Sequence, residues 1–143
     1  MDTTTSILVP KALDLIEQAR DALMVWDLDG QIQYMNRGAE RLLGWTMEEA
    51  RGRCAKELFF KGTSGFDAAQ EKLLQSGQWF GEMRLVTRAC QPVIVESRWT
   101  LKRGDKDLPA QVVALNTDVT ERKRLKEAIL TNAVASLDAH PLA

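Results

Sequence analysis

Few residues in this sequence are of types that could do chemistry, and their spacing argues against most kinds of catalysis. The single histidine, His140, is followed by Pro141 near the C-terminus. The two cysteines, Cys54 and Cys90, are too few for a disulfide scaffold and lack metal-ligand spacing. Arg51, Arg53 and Lys56 around Cys54 offer the cationic setting that a redox thiol needs; a small half-buried thiol would need none of it. No glycine loop is built to cradle phosphate, and no histidine is available inside a fold for acid–base or nucleophilic work. Asp27, Asp29 and Glu40 fit turn and surface carboxylates. The chain is expected to be non-catalytic.

The polar run with the most informative spacing is Asp118-Val119-Thr120-Glu121. Asp118 and Glu121 stand at capping distance, and Thr120 is a further cap for a helix that starts near Glu121. A cap at this point does more than begin a helix if the residues before it belong to a strand. It then couples strand to helix, so that strain in a sheet moves the helix. Asp118, Thr120 and Glu121 are therefore the candidate relay.

The elements around these residues follow from periodicity. Pro10 suits a helix start, and Leu15, Ile16 and Ala19 then share a stripe that serves either as a dimer surface or as a lid on a sheet. Residues 23–28 read as a strand, Asp29-Gly30 as a tight turn and residues 31–35 as the returning strand. Leu42 and Leu43 close a short helix at Gly44, and Thr46 to Glu49 has capping-box spacing for the next. Ser64 is placed to cap a helix over about 66–75 that carries Phe66, Ala69 and Leu73, with Gly77 ending it.

The period then changes to two. Residues 83–88 alternate, and so do residues 93–102, where Val93, Val95, Ser97, Trp99 and Leu101 share one face. Residues 111–119 are apolar on both faces, which predicts a central strand. Short turns between these three make them antiparallel. The predicted class is α+β: a five-stranded antiparallel sheet with short helices on one face, an N-terminal flanking helix and a C-terminal exit helix. The exit helix repeats Leu125, Ile129, Asn132 and Ser136 at spacings close to a coiled-coil seam. A weak parallel dimer through Leu125 and Ile129 is expected; packing of this helix on its own sheet is the alternative.

Four stretches in order resemble the PAS family over residues 12 to 124. They are Asp27-Leu28-Asp29-Gly30 with Ile32, Tyr34 and Asn36; Asn36-Arg37-Gly38-Ala39 running into Leu42-Leu43-Gly44-Trp45; Glu49 to Gly52; and Asp118-Val119-Thr120-Glu121-Arg122-Lys123. The resemblance implies a sensory or protein-interaction domain, usually dimeric, feeding a histidine kinase, a cyclic-dinucleotide enzyme or a transcription regulator. A shared fold leaves the ligand open, so the pocket has to decide it. The division expected is a tail over 1–11, the PAS domain with its flanking helix over 12–120, and an exit helix over 121–143 leading to a covalently linked effector.

The light-sensing flavin branch of that family carries its reactive cysteine in a glycine-arginine-asparagine-cysteine run. Here Gly52-Arg53-Cys54-Ala55 puts the cysteine one place early. The branch's flavin-reading amides align with Leu85, Val95 and Asn116, so two of the three are apolar here. Heme in this family takes an axial ligand, most often histidine, and His140 lies beyond the match. No flavin or heme is predicted. The expected pocket lies between the sheet residues Leu85, Val95, Ser97, Ala114 and Asn116 and the helical residues Phe59, Phe66 and Leu73. Mostly apolar with one or two polar handles, it suits a small apolar ligand or none.

Bulk properties agree. The 143 residues suit one domain, and 45% hydrophobic with 27% charged is a globular balance. A net charge of −1 from 19 basic and 20 acidic residues gives no field toward nucleic acid. No apolar run nears the roughly 18 residues of a membrane span, and the start lacks the pattern of a secretory signal. The expectation is a cytoplasmic sensory module of a two-component signalling protein, with a histidine kinase as the effector.

Overall fold

The computed structural model describes residues 21–105 and 110–139. The elements run β1 (Ala22–Asp27), β2 (Ile32–Met35), α1 (Arg37–Leu43), α2 (Met47–Ala50), α3 (Ala55–Phe59), α4 (Phe66–Ser76), β3 (Gln78–Val86), β4 (Pro92–Lys102), β5 (Gln111–Asp118) and α5 (Thr120–Ala139). All strand pairs are antiparallel, and the sheet order is β2-β1-β5-β4-β3. The strand read as apolar on both faces, β5, sits at the centre between β1 and β4. The predicted N-terminal stripe of Leu15, Ile16 and Ala19 lies outside the described residues, as does His140.

Local chemistry sets the joints. At the first hairpin Gly30 adopts φ 87°, which is why glycine is needed there. Asp27 Oδ1 accepts from the amides of Asp29 at 3.0 Å and Gln31 at 2.8 Å, so this carboxylate builds the turn. Asn36 is fully buried and does two jobs with one oxygen: it accepts from Ala39 N at 2.8 Å to cap α1 and from Leu23 N at 2.9 Å to bind β1. The Thr46–Glu49 capping box forms in full and starts α2. Glu40, read from sequence as a surface carboxylate, instead accepts from Met47 N at 2.7 Å and joins α1 to α2.

The starts of α4 and β3 differ from the expectations. Ser64 does not cap α4; Gly65 holds the N-cap position at φ 109° without any side-chain cap bond. That φ is what calls for glycine, and a Cβ on residue 65 would also press on Met83 Sδ at 3.2 Å. β3 also begins at Gln78, well before the strand expected at 83, because its outward residues Gln78, Phe80 and Glu82 break the apolar pattern while β4 supplies the pairing.

The helices pack on one face of the sheet. Met24, Trp26, Leu85, Val95, Trp99, Val112 and Ala114 from the strands meet Leu43, Phe59, Phe66 and Leu73 from the helices in one buried cluster. The opposite parity of β4 (Arg98, Thr100, Lys102) stays exposed, as the alternation requires.

Candidate functional site

All eight predicted pocket residues converge on this interior. Phe59, Leu73, Leu85, Val95, Ser97 and Ala114 are fully buried, and Asn116 and Phe66 nearly so. Parity explains the strand members: Ser97 pairs with Asn116 and Trp99 with Ala114 across β4 and β5, so all four face the helices.

The polar handles bind one another. Ser97 Oγ donates to Asn116 Oδ1 at 2.6 Å and accepts from Trp99 Nε1 at 2.8 Å. Asn116 Nδ2 donates to Ala22 O at 3.2 Å, which extends the chain of bonds to β1. Three strands are thus joined by a buried polar network inside an apolar interior, where satisfied bonds are strong and a lost partner is costly.

Aromatic rings fill the space beside that network. Trp26 and Trp99 meet edge to face with centroids 5.0 Å apart. Phe60 and Phe66 meet at 4.8 Å, and Trp79 joins Trp99 at 5.3 Å. Trp26, expected from sequence in the core or on a dimer face, and Phe60 were not among the pocket residues named from sequence. The signal for Trp26 was its parity in the first hairpin strand, and that for Phe60 its place at the end of a short apolar run. Trp26 Nε1 is buried with no hydrogen-bond partner among the described residues.

The candidate relay residues sit where β5 passes into α5. Asp118 Oδ1 accepts from Thr120 N at 2.9 Å, closing an Asx turn just ahead of the helix, whose N-cap position is Val119: Lys123 N donates to Val119 O. Thr120, expected as a further cap, turns its hydroxyl to β4 instead. Its Oγ1 accepts from Ile94 N at 2.9 Å and donates to Ile94 O at 3.3 Å, and Val119 N also donates to that carbonyl at 2.9 Å. The helix starts at Thr120, one residue earlier than expected, and Glu121 is exposed with no bond to Asp118. Ile94 was missed in the sequence because its role is played by its backbone, which no residue type reveals.

Beyond this clamp α5 has few ties. Arg122 pairs with Glu96 at 2.6 Å, and Lys123 pairs with Glu82. Leu125 and Ile129, the predicted dimer residues, are 60% and 58% exposed, with Leu130 and Val134 alike. These apolar side chains have no cover among the described residues.

Cys54 is half-buried at the N-cap of α3, with its sulfur near Gly30, and Cys90 is exposed at φ 62° in the β3–β4 turn. Trp45 is flanked by the guanidinium groups of Arg88 at 4.7 Å and Arg53 at 5.2 Å. The Thr46 amide and Arg88 hold the Glu49 carboxyl below its usual range. No group of metal-ligating residues occurs among the described residues, and no helix there is long and apolar enough to cross a membrane.

Sheet order, helical layer and the joint between last strand and last helix define the architecture of a sensory module. The PAS fold family model matches residues 14–119, and the chain belongs to the PAS family. Among solved structures it is similar to the PAS domain of a protein from Colwellia psychrerythraea, at 25% identity and TM-score 0.69, covering 78% of this chain and 96% of that one. It is also similar in fold to an RNA-binding light-oxygen-voltage receptor, at 19% identity and TM-score 0.67, covering 94% of this chain and 40% of that one. A PAS domain from a two-component sensor histidine kinase matches at 16% identity and TM-score 0.66, covering 80% and 98%. No curated protein matches the chain.

Proposed function

We propose that this chain is the cytoplasmic input module of a two-component sensor histidine kinase, working as a homodimer. A change of packing at the aromatic cluster, triggered by a small apolar molecule, is passed through the Ser97–Asn116 network into β4 and β5. From there the Asp118–Thr120 clamp carries it into α5 and on to a covalently linked effector. The observation that carries this reading is the bonding of Thr120 Oγ1 to both backbone groups of Ile94, three residues from Ser97 on the same strand. A helix held to a sheet mainly at one point answers to movement of that point.

The exposed Leu125 and Ile129 support a parallel helix pair as the dimer contact. The module works without flavin or heme in this reading. Leu85 and Val95 offer no bond to a flavin's polar edge, and the Asn116 carboxamide is committed to Ser97 and Ala22. Each unpaired polar group buried there would cost on the order of 1–3 kcal/mol.

The test is a fusion of this chain, through α5, to the catalytic core of a sensor kinase lacking its own input domain. Autophosphorylation that changes in Thr120→Val, together with a dimer by light scattering that dissociates in Leu125→Asp, supports the reading. A monomeric chain whose fusion is indifferent to Thr120→Val sinks it. A visible flavin or heme band at stoichiometric level would replace the ligand assignment.

A further inference from the structure

The sheet ends at β3, and the hydrogen-bond parity of that strand tells which of its backbone groups are free. Thr87 N donates to Gln91 O, and Leu101 N donates to Gly77 O. Both pairs continue the β3–β4 register, in which odd-numbered β3 residues exchange bonds with β4. The amides and carbonyls of the even-numbered residues therefore point to the open edge. Both ends of that edge are already used: Ser76 Oγ donates to Gln78 O at 2.8 Å, and Arg88 N donates to Leu43 O at 2.8 Å. Between them, Phe80, Glu82 and Arg84 have no backbone partner among the described residues.

A groove of about 190 Å³ runs along the same edge, between α4 and β3. Its helical wall is kept low by Ala68 and Ala69, with Lys72 one turn further on. Its strand wall includes Met83 from the inner parity and both Glu82 and Arg84 from the outer parity. A groove lined by both parities opens along the strand's backbone edge. Edge strands are normally guarded by charges that repel a neighbour. Here the guard is selective. Lys123 already pairs with Glu82, whereas Lys72 and Arg84 make no ion pair among the described residues.

From this geometry we infer that the β3 edge over Phe80–Arg84 is a docking site for an extended acidic segment of a partner protein, added as a further strand. Backbone pairing supplies the affinity, as in strand addition to other open edges. A carboxylate of the segment meets Lys72 and Arg84, and its inward side chain enters the groove over Met83. The Lys123–Glu82 pair ties this strand to α5, so a docked segment sits next to the relay. The inference stands apart from the ligand and kinase reading above.

The probe is a short fluorescein-labelled peptide of alternating Glu and Val, titrated with the intact chain and followed by anisotropy. Its Lys–Val counterpart serves as control. Saturable binding of the acidic peptide alone is expected, weakened roughly tenfold by Glu82→Pro, which removes an edge amide without touching the β3–β4 bonds. Lys72→Glu with Arg84→Glu is expected to weaken it at least as much, and either variant should keep the native circular dichroism. If Glu82→Pro unfolds the chain, the Lys72/Arg84 variant decides alone. No saturable binding, or equal binding of both peptides, overturns the proposal. Self-association of the chain that Glu82→Pro abolishes, without peptide binding, reassigns the edge to a second copy and overturns it too.

Discussion

Thr120→Val tests the coupling of sheet to helix most directly. Valine keeps the shape of the side chain and removes only the hydroxyl that bonds Ile94 N at 2.9 Å and Ile94 O at 3.3 Å. The part-buried Ile94 amide is left unpaired, at a cost of about 1–2 kcal/mol. That corresponds to roughly a 5–30-fold change in an opening equilibrium. The remaining ties of α5 to the sheet cannot replace the clamp. Arg122–Glu96 and Lys123–Glu82 are exposed ion pairs, and Val119 N shares the Ile94 carbonyl.

Hydrogen exchange resolves where the cost falls. If release of α5 requires the clamp to open, the first-turn amides of α5, Lys123 among them, accelerate by the same factor as the slowest amides of β4 and β5. Faster exchange in β4 and β5 with an unchanged first turn of α5 would mean that the helix opens without breaking the clamp. In that case Thr120 stabilises the sheet but relays nothing, and the coupling argument fails.

Three other outcomes are expected. Ser97→Ala orphans both Trp99 Nε1 and Asn116 Oδ1 in the buried interior; it should destabilise by about 2–4 kcal/mol in urea unfolding, well above an exposed serine change. Trp99→Phe should cost about 1 kcal/mol more than Trp26→Phe, because Trp99 Nε1 is bonded to Ser97 whereas Trp26 Nε1 has no partner to lose; equal melting points for the two variants would contradict the network. Glu49 has a lowered carboxyl pKa in the fold, first through the Thr46 amide and then through Arg88. Its contribution is full above the unfolded-state pKa of a glutamate and is lost as pH falls through the lowered folded value. The melting-point gap between the native chain and Glu49→Gln should therefore be present at neutral pH and close in acid; a gap that is independent of pH would refute the assignment.

Much of this architecture could be read from residue order alone. Alternation in Val93–Lys102 set which side chains face the core, because the period of a strand is fixed by its pleat. Asp29-Gly30 and the Thr46–Glu49 box marked joints because those residue types bond their own neighbouring backbone. That Ser97, Ala114 and Asn116 turn toward the helices could be read for the same reason, since they lie on the inward parity of their strands. Tertiary structure alone decided what depends on distant partners. Ser97 and Asn116 looked like free handles until β4 and β5 were paired, when each became the other's partner. Thr120 read as an ordinary helix cap, and only the position of β4 turned its hydroxyl to Ile94. Gly65 took the place of Ser64 at the start of α4 because the chain turns there at φ 109°, with the Met83 sulfur, distant in sequence, only 3.2 Å from where a Cβ would stand. Local bonding preferences are written in neighbouring residues, whereas a backbone group such as Ile94 N carries no residue code. Its partner exists only once the sheet has formed.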